Sequence, residues 1–136
     1  MRRCATASIL VLLVVIAAAP AFAGLNAEEG ADAVRTHIET QTAKHGKFWV
    51  YDEVTDESLA LKLVSMHDTH WGLIDDETYF ASGEFIDAKG DKYMVDVVLR
   101  GASADALEVV SVEVQERGGE ARYSWAEADG RWTKQP

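Results

Sequence analysis

The stretch Thr78–Arg100, TYFASGEFIDAKGDKYMVDVVLR, constrains this chain more than any other, because its alternation around one turn admits a single strand register. Two runs rich in aromatic and β-branched residues flank Asp87-Ala88-Lys89-Gly90-Asp91, where Gly90 suits the left-handed position that closes a type I turn with a bulge. With Asp87 opposite Asp91, Phe85 faces Tyr93, Gly83 faces Val95, Ala81 faces Val97 and Tyr79 faces Leu99. These pairs share one nearly all-apolar face. The other face pairs Ile86 with Lys92, Glu84 with Met94, Ser82 with Asp96, Phe80 with Val98 and Thr78 with Arg100. A slip of one residue would send every side chain to the opposite face, so the segregation supports this register. The second face is mixed, and a surface meant only for water rarely carries Phe80, Ile86, Met94 and Val98 beside charges. It is expected to line a cup or to pair with a second copy of the chain.

The rest of the chain reads around that hairpin. Gly24 to Gly46 has helical spacing in Ala27, Ala31, Val34 and Ile38, with a capping-box pair at Asn26 and Glu29, acidic residues in the first turn and Gly46 just past the end. Gly30 and the threonines weaken this helix. From Lys47 onward the period changes to two. Phe48–Glu53 and Leu59–His67 read as strands, and His67–Glu77 as a polar, acidic connection interrupted by Trp71-Gly72-Leu73-Ile74. Leu107–Glu116 reads as a long strand with Val110, Val112 and Val114 on one face. Ala121–Ala126 returns, and Asp129-Gly130 opens a last hairpin toward Trp132. One helix followed by antiparallel strands predicts an α+β domain, the helix packed on a curved meander of about five to six strands.

That order of elements resembles the cystatin-like and nuclear-transport-factor-2-like architectures, in which a curved antiparallel sheet wraps a helix. Cystatin-type inhibitors carry a Gln-x-Val-x-Gly loop. The nearest stretch here, Gln115-Glu116-Arg117-Gly118-Gly119, lacks the valine, so protease inhibition is not carried over.

Residues 1–23 read as a cleaved signal peptide: Arg2 and Arg3, a short apolar run Ile9–Ala19, and Ala21-Phe22-Ala23 as a small-residue cleavage site. The expected mature chain is one domain over residues 24–136, exported to the periplasm or secreted. Cys4, the only cysteine of the 136 residues, leaves with that segment, which excludes disulfides and thiol catalysis from the mature chain. Removing Arg2 and Arg3 takes Lys and Arg from 13 to 11 against 23 Asp and Glu, moving the net charge from −10 to −12. Such a balance argues against nucleic acid and anionic membrane surfaces as partners and favours solubility or a cationic partner, most of the charge being solvated surface.

Three groups of residues carry candidate chemistry. Asp96 interrupts an apolar strand; a desolvated carboxylate there would suit a general acid or base in an isomerase or dehydratase, whereas on an outward face it would simply bond Ser82. Phe80, Ser82, Met94, Asp96 and Val98 together form the ligand-binding candidate on the mixed face. His67 and His70 with Asp75 form a metal candidate, for which the nitrogen donors favour Zn²⁺, although His-x-x-His on a strand does not aim both rings at one point. The aromatic set Trp49, Tyr51, Trp71, Tyr79, Tyr93, Tyr123, Trp125 and Trp132 offers a stacking platform if exposed, or core if not. No serine nucleophile motif and no glycine-rich phosphate loop occurs. The leading reading is therefore a non-enzymatic exported module that binds a small ligand or a protein, a second copy included. No resident cofactor is implied.

Overall fold

The computed structural model describes residues 24–136; residues 1–23, expected as a signal peptide, lie outside the described residues. The order of elements is a helix α1 (Ala27–His45) followed by strands β1 (Phe48–Asp52), β2 (Glu57–Asp75), β3 (Thr78–Ile86) and β4 (Lys92–Arg100). A 3₁₀ turn (Ala104–Ala106) leads into β5 (Glu108–Arg117), β6 (Glu120–Ala121), β7 (Ser124–Ala128) and β8 (Arg131–Gln135). The fold is α+β: strands β1 to β6 form one antiparallel sheet in chain order, and β7 pairs with β8 as a separate two-stranded sheet. No described helix is long and apolar enough to cross a membrane.

The helix begins where its sequence signals place it. The Asn26 side chain accepts from the Glu29 amide at 2.9 Å, and Glu29 accepts from the Asn26 amide at 3.2 Å, which completes the capping box. Gly46 closes the other end in the left-handed conformation, φ 76°. Val34 is fully buried against Ala81, Val97 and Leu99, so the helix lies on the apolar face of the β3–β4 hairpin.

Gly30, which weakens the helix by propensity, has a packing role. The Trp71 ring rests on its backbone, donates from Nε1 to the Leu25 carbonyl at 3.2 Å, and stacks on Tyr79 with 5.0 Å between centroids. A Cβ at position 30 would sit 2.0 Å from the indole. Gly30→Ala normally gains helix propensity; here the displaced ring outweighs that gain, and a net loss of about 1–3 kcal/mol is expected in urea unfolding. A variant as stable as the parent would show that the indole is not held on the helix.

The hairpin register agrees with the sequence reading at every pair from Thr78↔Arg100 to Ile86↔Lys92. Gly90 turns the chain with φ 84°. The surrounding strands depart from the simple reading in two places. The segment expected as a polar connection after His67 is strand: β2 runs on to Asp75, and its ladder skips from His67↔Ser82 to Trp71↔Ala81, so Asp68, Thr69 and His70 form a bulge. The anchoring of Trp71 between helix and Tyr79 brings the strand back into register. In β5 a bulge lies between Val98↔Ser111 and Leu99↔Val109. Val109 takes the place beside Leu99, Val110 is turned out to solvent, and Val112 and Val114 continue inward.

The sheet curls enough to bring β1 and β5 side by side, with no hydrogen-bonded ladder between them. Phe48 and Val50 from β1 thereby share a core with Phe85, Tyr93, Val95 and Val114. The outer, mixed face of β3–β4 is not left to solvent. The β7–β8 hairpin folds across it: Trp125 stacks on Phe80 at 4.1 Å, Trp132 meets Phe80 edge-on at 5.4 Å, and Gly72 leaves room for the Trp132 indole. The result is three layers, helix on sheet on hairpin. The sequence reading offered a cup or a second copy for this face; the chain covers it with its own C-terminal strands.

Candidate functional site

Asp96 lies in the middle layer, 1% exposed. Its register neighbours on one face of the sheet are Ser82 on β3 and Glu113 on β5. The Ser82 hydroxyl donates to Oδ1, while Tyr123 Oη at 2.7 Å and Trp125 Nε1 at 2.8 Å both donate to Oδ2. Three donors on one carboxylate satisfy its acceptor directions, which is how a buried acid is accommodated without water. The Tyr123 hydroxyl is pushed above its ordinary value of 10.0, by burial first and by its hydrogen bond to Asp96 second. The Lys134 ammonium sits over the Tyr123 ring at 4.2 Å and pairs with Glu113. Asp96 thus pins the hairpin to the sheet.

Of the ligand-binding candidates, Phe80, Ser82 and Asp96 are sealed beneath the hairpin, and Met94 and Val98 are partly buried. They are brought together as the register predicts, but as a packed layer. The metal candidates separate. His67 precedes the β2 bulge and His70 ends it, with ring centroids 5.6 Å apart, whereas Asp75 lies at the far end of β2 opposite Thr78. Ser82 and Thr78 are four residues apart on β3, which puts Asp75 about 13 Å along the sheet from His67. Among the described residues no three His, Cys, Asp or Glu side chains are placed to share an ion. Nε2 of His67 is buried without a hydrogen-bond partner among the described residues.

A second buried carboxylate escaped the sequence reading. Asp52 ends β1 fully buried, and Arg122 grips it with both terminal nitrogens, Nη2 to Oδ2 at 2.9 Å. Arg117 Nη1 donates to Oδ2 at 3.1 Å and the Val54 amide to Oδ1 at 3.1 Å. The Arg122 contact holds the Asp52 carboxyl well below its ordinary value of 3.8, against the opposing pull of burial. Period-two spacing after Phe48 and Val50 does turn Asp52 inward, and that was the available signal. Its arginines lie 65 and 70 residues away in sequence, and nothing local points to them.

This clamp ties the end of β1 to β5 and to the segment entering β7. Beside it, along the β1–β5 seam, runs a groove of about 270 Å³ lined by Tyr51, Glu53, Val112, Glu113, Arg122 and Lys134 among others. Of the exposed large apolar side chains, Tyr51 and Val54 line it. Trp49 is 50% exposed and Tyr51 52% on β1, Val54 stands in the following turn, Val110 is turned out on β5, and Val64 is exposed on β2. Tyr51 Oη donates to Asp56, which fixes the direction of its ring. Tyr79 and Tyr93, by contrast, are core, and Trp125 and Trp132 serve the hairpin. A smaller hollow of about 250 Å³ lies between the start of α1 and the β2 bulge, lined by Arg35, Met66, His67, Asp68 and Trp71 among others. No protein-family model, no curated protein and no solved structure matches the chain.

Proposed function

We propose that this chain is an exported, non-enzymatic binding module and that the β1–β5 seam is its contact surface. The observation that carries the reading is the groove between β1 and β5, two neighbouring strands with no ladder between them, lined by the exposed Tyr51 and Val54, with Trp49 and Val110 exposed on the same two strands. Aromatic side chains exposed beside a groove supply large contact area at small entropic loss. The mixed face of the central hairpin is already used for internal packing, and the Asp96 carboxylate has three donors and no open side. Acid/base catalysis by Asp96 would therefore require the hairpin to detach, and no observation favours it. A Zn²⁺ site at His67 and His70 would lack a third ligand among the described residues. The helix on a curled sheet keeps the likeness to cystatin-like and nuclear-transport-factor-2-like architecture as part of the proposal, without carrying their activities. Export rests on the leader-like residues 1–23.

Mass spectrometry of the chain recovered from its host should find Gly24 as the first residue. A photo-reactive phenylalanine analogue at position 49 should cross-link a partner in intact cells, while the same analogue at the exposed position 126 on the hairpin should not. Equal adducts at both positions, or none at 49, would remove the seam as the contact surface.

A further inference from the structure

The ion pairs of the seam groove leave one carboxylate over. Its lining includes Asp52, Glu53 and Glu113 against Arg122 and Lys134. Arg122 is held by Asp52 and Lys134 by Glu113, whereas Glu53 forms no ion pair among the described residues. Glu53 stands beside Tyr51. The Tyr51 hydroxyl is raised above its ordinary value by its hydrogen bond to Asp56 first, then by desolvation, then by the Glu53 charge. Val54, 71% exposed, follows in the turn and lines the same groove. An exposed phenol ring, an exposed apolar side chain and an unpaired carboxylate thus stand together on the β1 side of the groove.

We infer that this side of the groove takes an arginine side chain presented by the partner protein. The inference rests on the seam reading above and specifies what the partner must carry. A guanidinium lies flat on an aromatic face and offers a carboxylate two parallel donors, so one arginine can engage Tyr51 and Glu53 together. Its methylene stem is apolar and has Val54 to cover it. An acidic group of a partner finds no such match, because Arg122 and Lys134, the two cations of the groove, are already paired within the chain. The net charge of −10 acts in the same direction at longer range, and favours a basic partner over a second copy.

The test titrates the ¹⁵N-labelled chain with capped arginine (acetyl-arginine amide), and with capped citrulline as its neutral isostere. The amide signals of Tyr51, Glu53 and Val54 should move with arginine and stay in place with citrulline. Glu53→Gln should weaken arginine binding about tenfold, as expected for loss of a charged hydrogen-bonding partner. Glu108→Gln removes an exposed carboxylate outside the groove lining, and should leave binding unchanged. Equal binding of citrulline, or equal weakening by the two substitutions, would overturn the inference, the first by removing the need for charge and the second by reducing it to attraction by the whole acidic surface. Cross-linking from position 49 that persists undiminished in Glu53→Gln would leave the seam reading standing and this inference false. Arginine binding at Tyr51 and Glu53 with no adduct from position 49 would do the reverse: the groove would select a guanidinium without the seam being a protein contact surface.

Discussion

Removal of the Asp52 carboxylate, as Asp52→Ala, is expected to destabilise the fold by about 3 kcal/mol. The carboxylate is fully buried and accepts from Arg122, Arg117 and the Val54 amide, so its loss strands the Arg122 guanidinium and a backbone donor and leaves Arg117 with Thr55 and Glu57. Arg117 and Arg122 keep side-chain exposures of 30% and 20%, so part of their charge can rehydrate, and the loss falls at the low end for a broken buried ion pair. The same site gives a pH dependence with a definite sign. Because Arg122 holds the folded-state value below the ordinary 3.8, the unfolded chain binds the proton more readily. The stabilisation is complete above about pH 5 and declines as pH falls through the carboxylate range. Urea unfolding of the parent should therefore weaken from about pH 5 to pH 2 more steeply than that of Asp52→Asn, which has no carboxylate to protonate. Parallel slopes for the two proteins would mean that Asp52 is not held ionised by its arginines. Since the clamp is what joins β1 to β5, the variant should also lose exchange protection first along that seam.

How far the sequence revealed this fold follows from the range of the interactions. The hairpin register was legible because Phe85, Tyr93, Val95 and Val97 alternate around a turn that only a glycine at position 90 closes easily. The helix was legible from Asn26, Glu29 and Gly46, all within a turn of its ends. Both rest on local chemistry. What was not legible depends on pairs far apart in the chain. Nothing near Phe80 announces that Trp125 and Trp132 will cover it, and nothing near Asp52 announces Arg117 and Arg122. A mixed face reads the same whether a ligand, a second copy or the chain's own tail lies on it. Bulges were the other source of error. One extra residue at Val110 reverses which valines point inward, and three at Asp68–His70 let a polar stretch remain strand. Asp96 stood out as an odd residue in an apolar strand, but its three donors come from β3, from β7 and from the residue just before β7, and only the assembled layers show them.

Phe80→Asp is expected to unfold the protein, or at least to remove about 4 kcal/mol or more. Were this face to line a cup or meet a second copy, as the sequence led one to expect, the substitution would disturb association more than folding. In the structure Phe80 has no exposed surface and is sandwiched between the sheet and the indoles of Trp125 and Trp132. An aspartate there loses the stacking, leaves a void, and places a carboxylate without donors close to the residues that hold Asp96. Phe80→Leu separates the contributions: it keeps an apolar side chain of smaller volume, so about 1–2 kcal/mol should be lost with the fold intact. The hairpin reports directly on the change, since Trp125 and Trp132 are two of the four tryptophans in the chain. In Phe80→Leu, indole emission should shift to the red at lower urea than in the parent, together with loss of far-ultraviolet strand signal if the layers unfold as one. Should the emission shift first while the six-stranded sheet persists, the hairpin is a separable cover. The Asp96 carboxylate would then be reachable by solvent in a folded protein, and its chemistry would have to be reopened. A single coincident transition instead makes the three donors to Asp96 part of the global fold, and leaves the seam between β1 and β5 as the surface on which binding is to be sought.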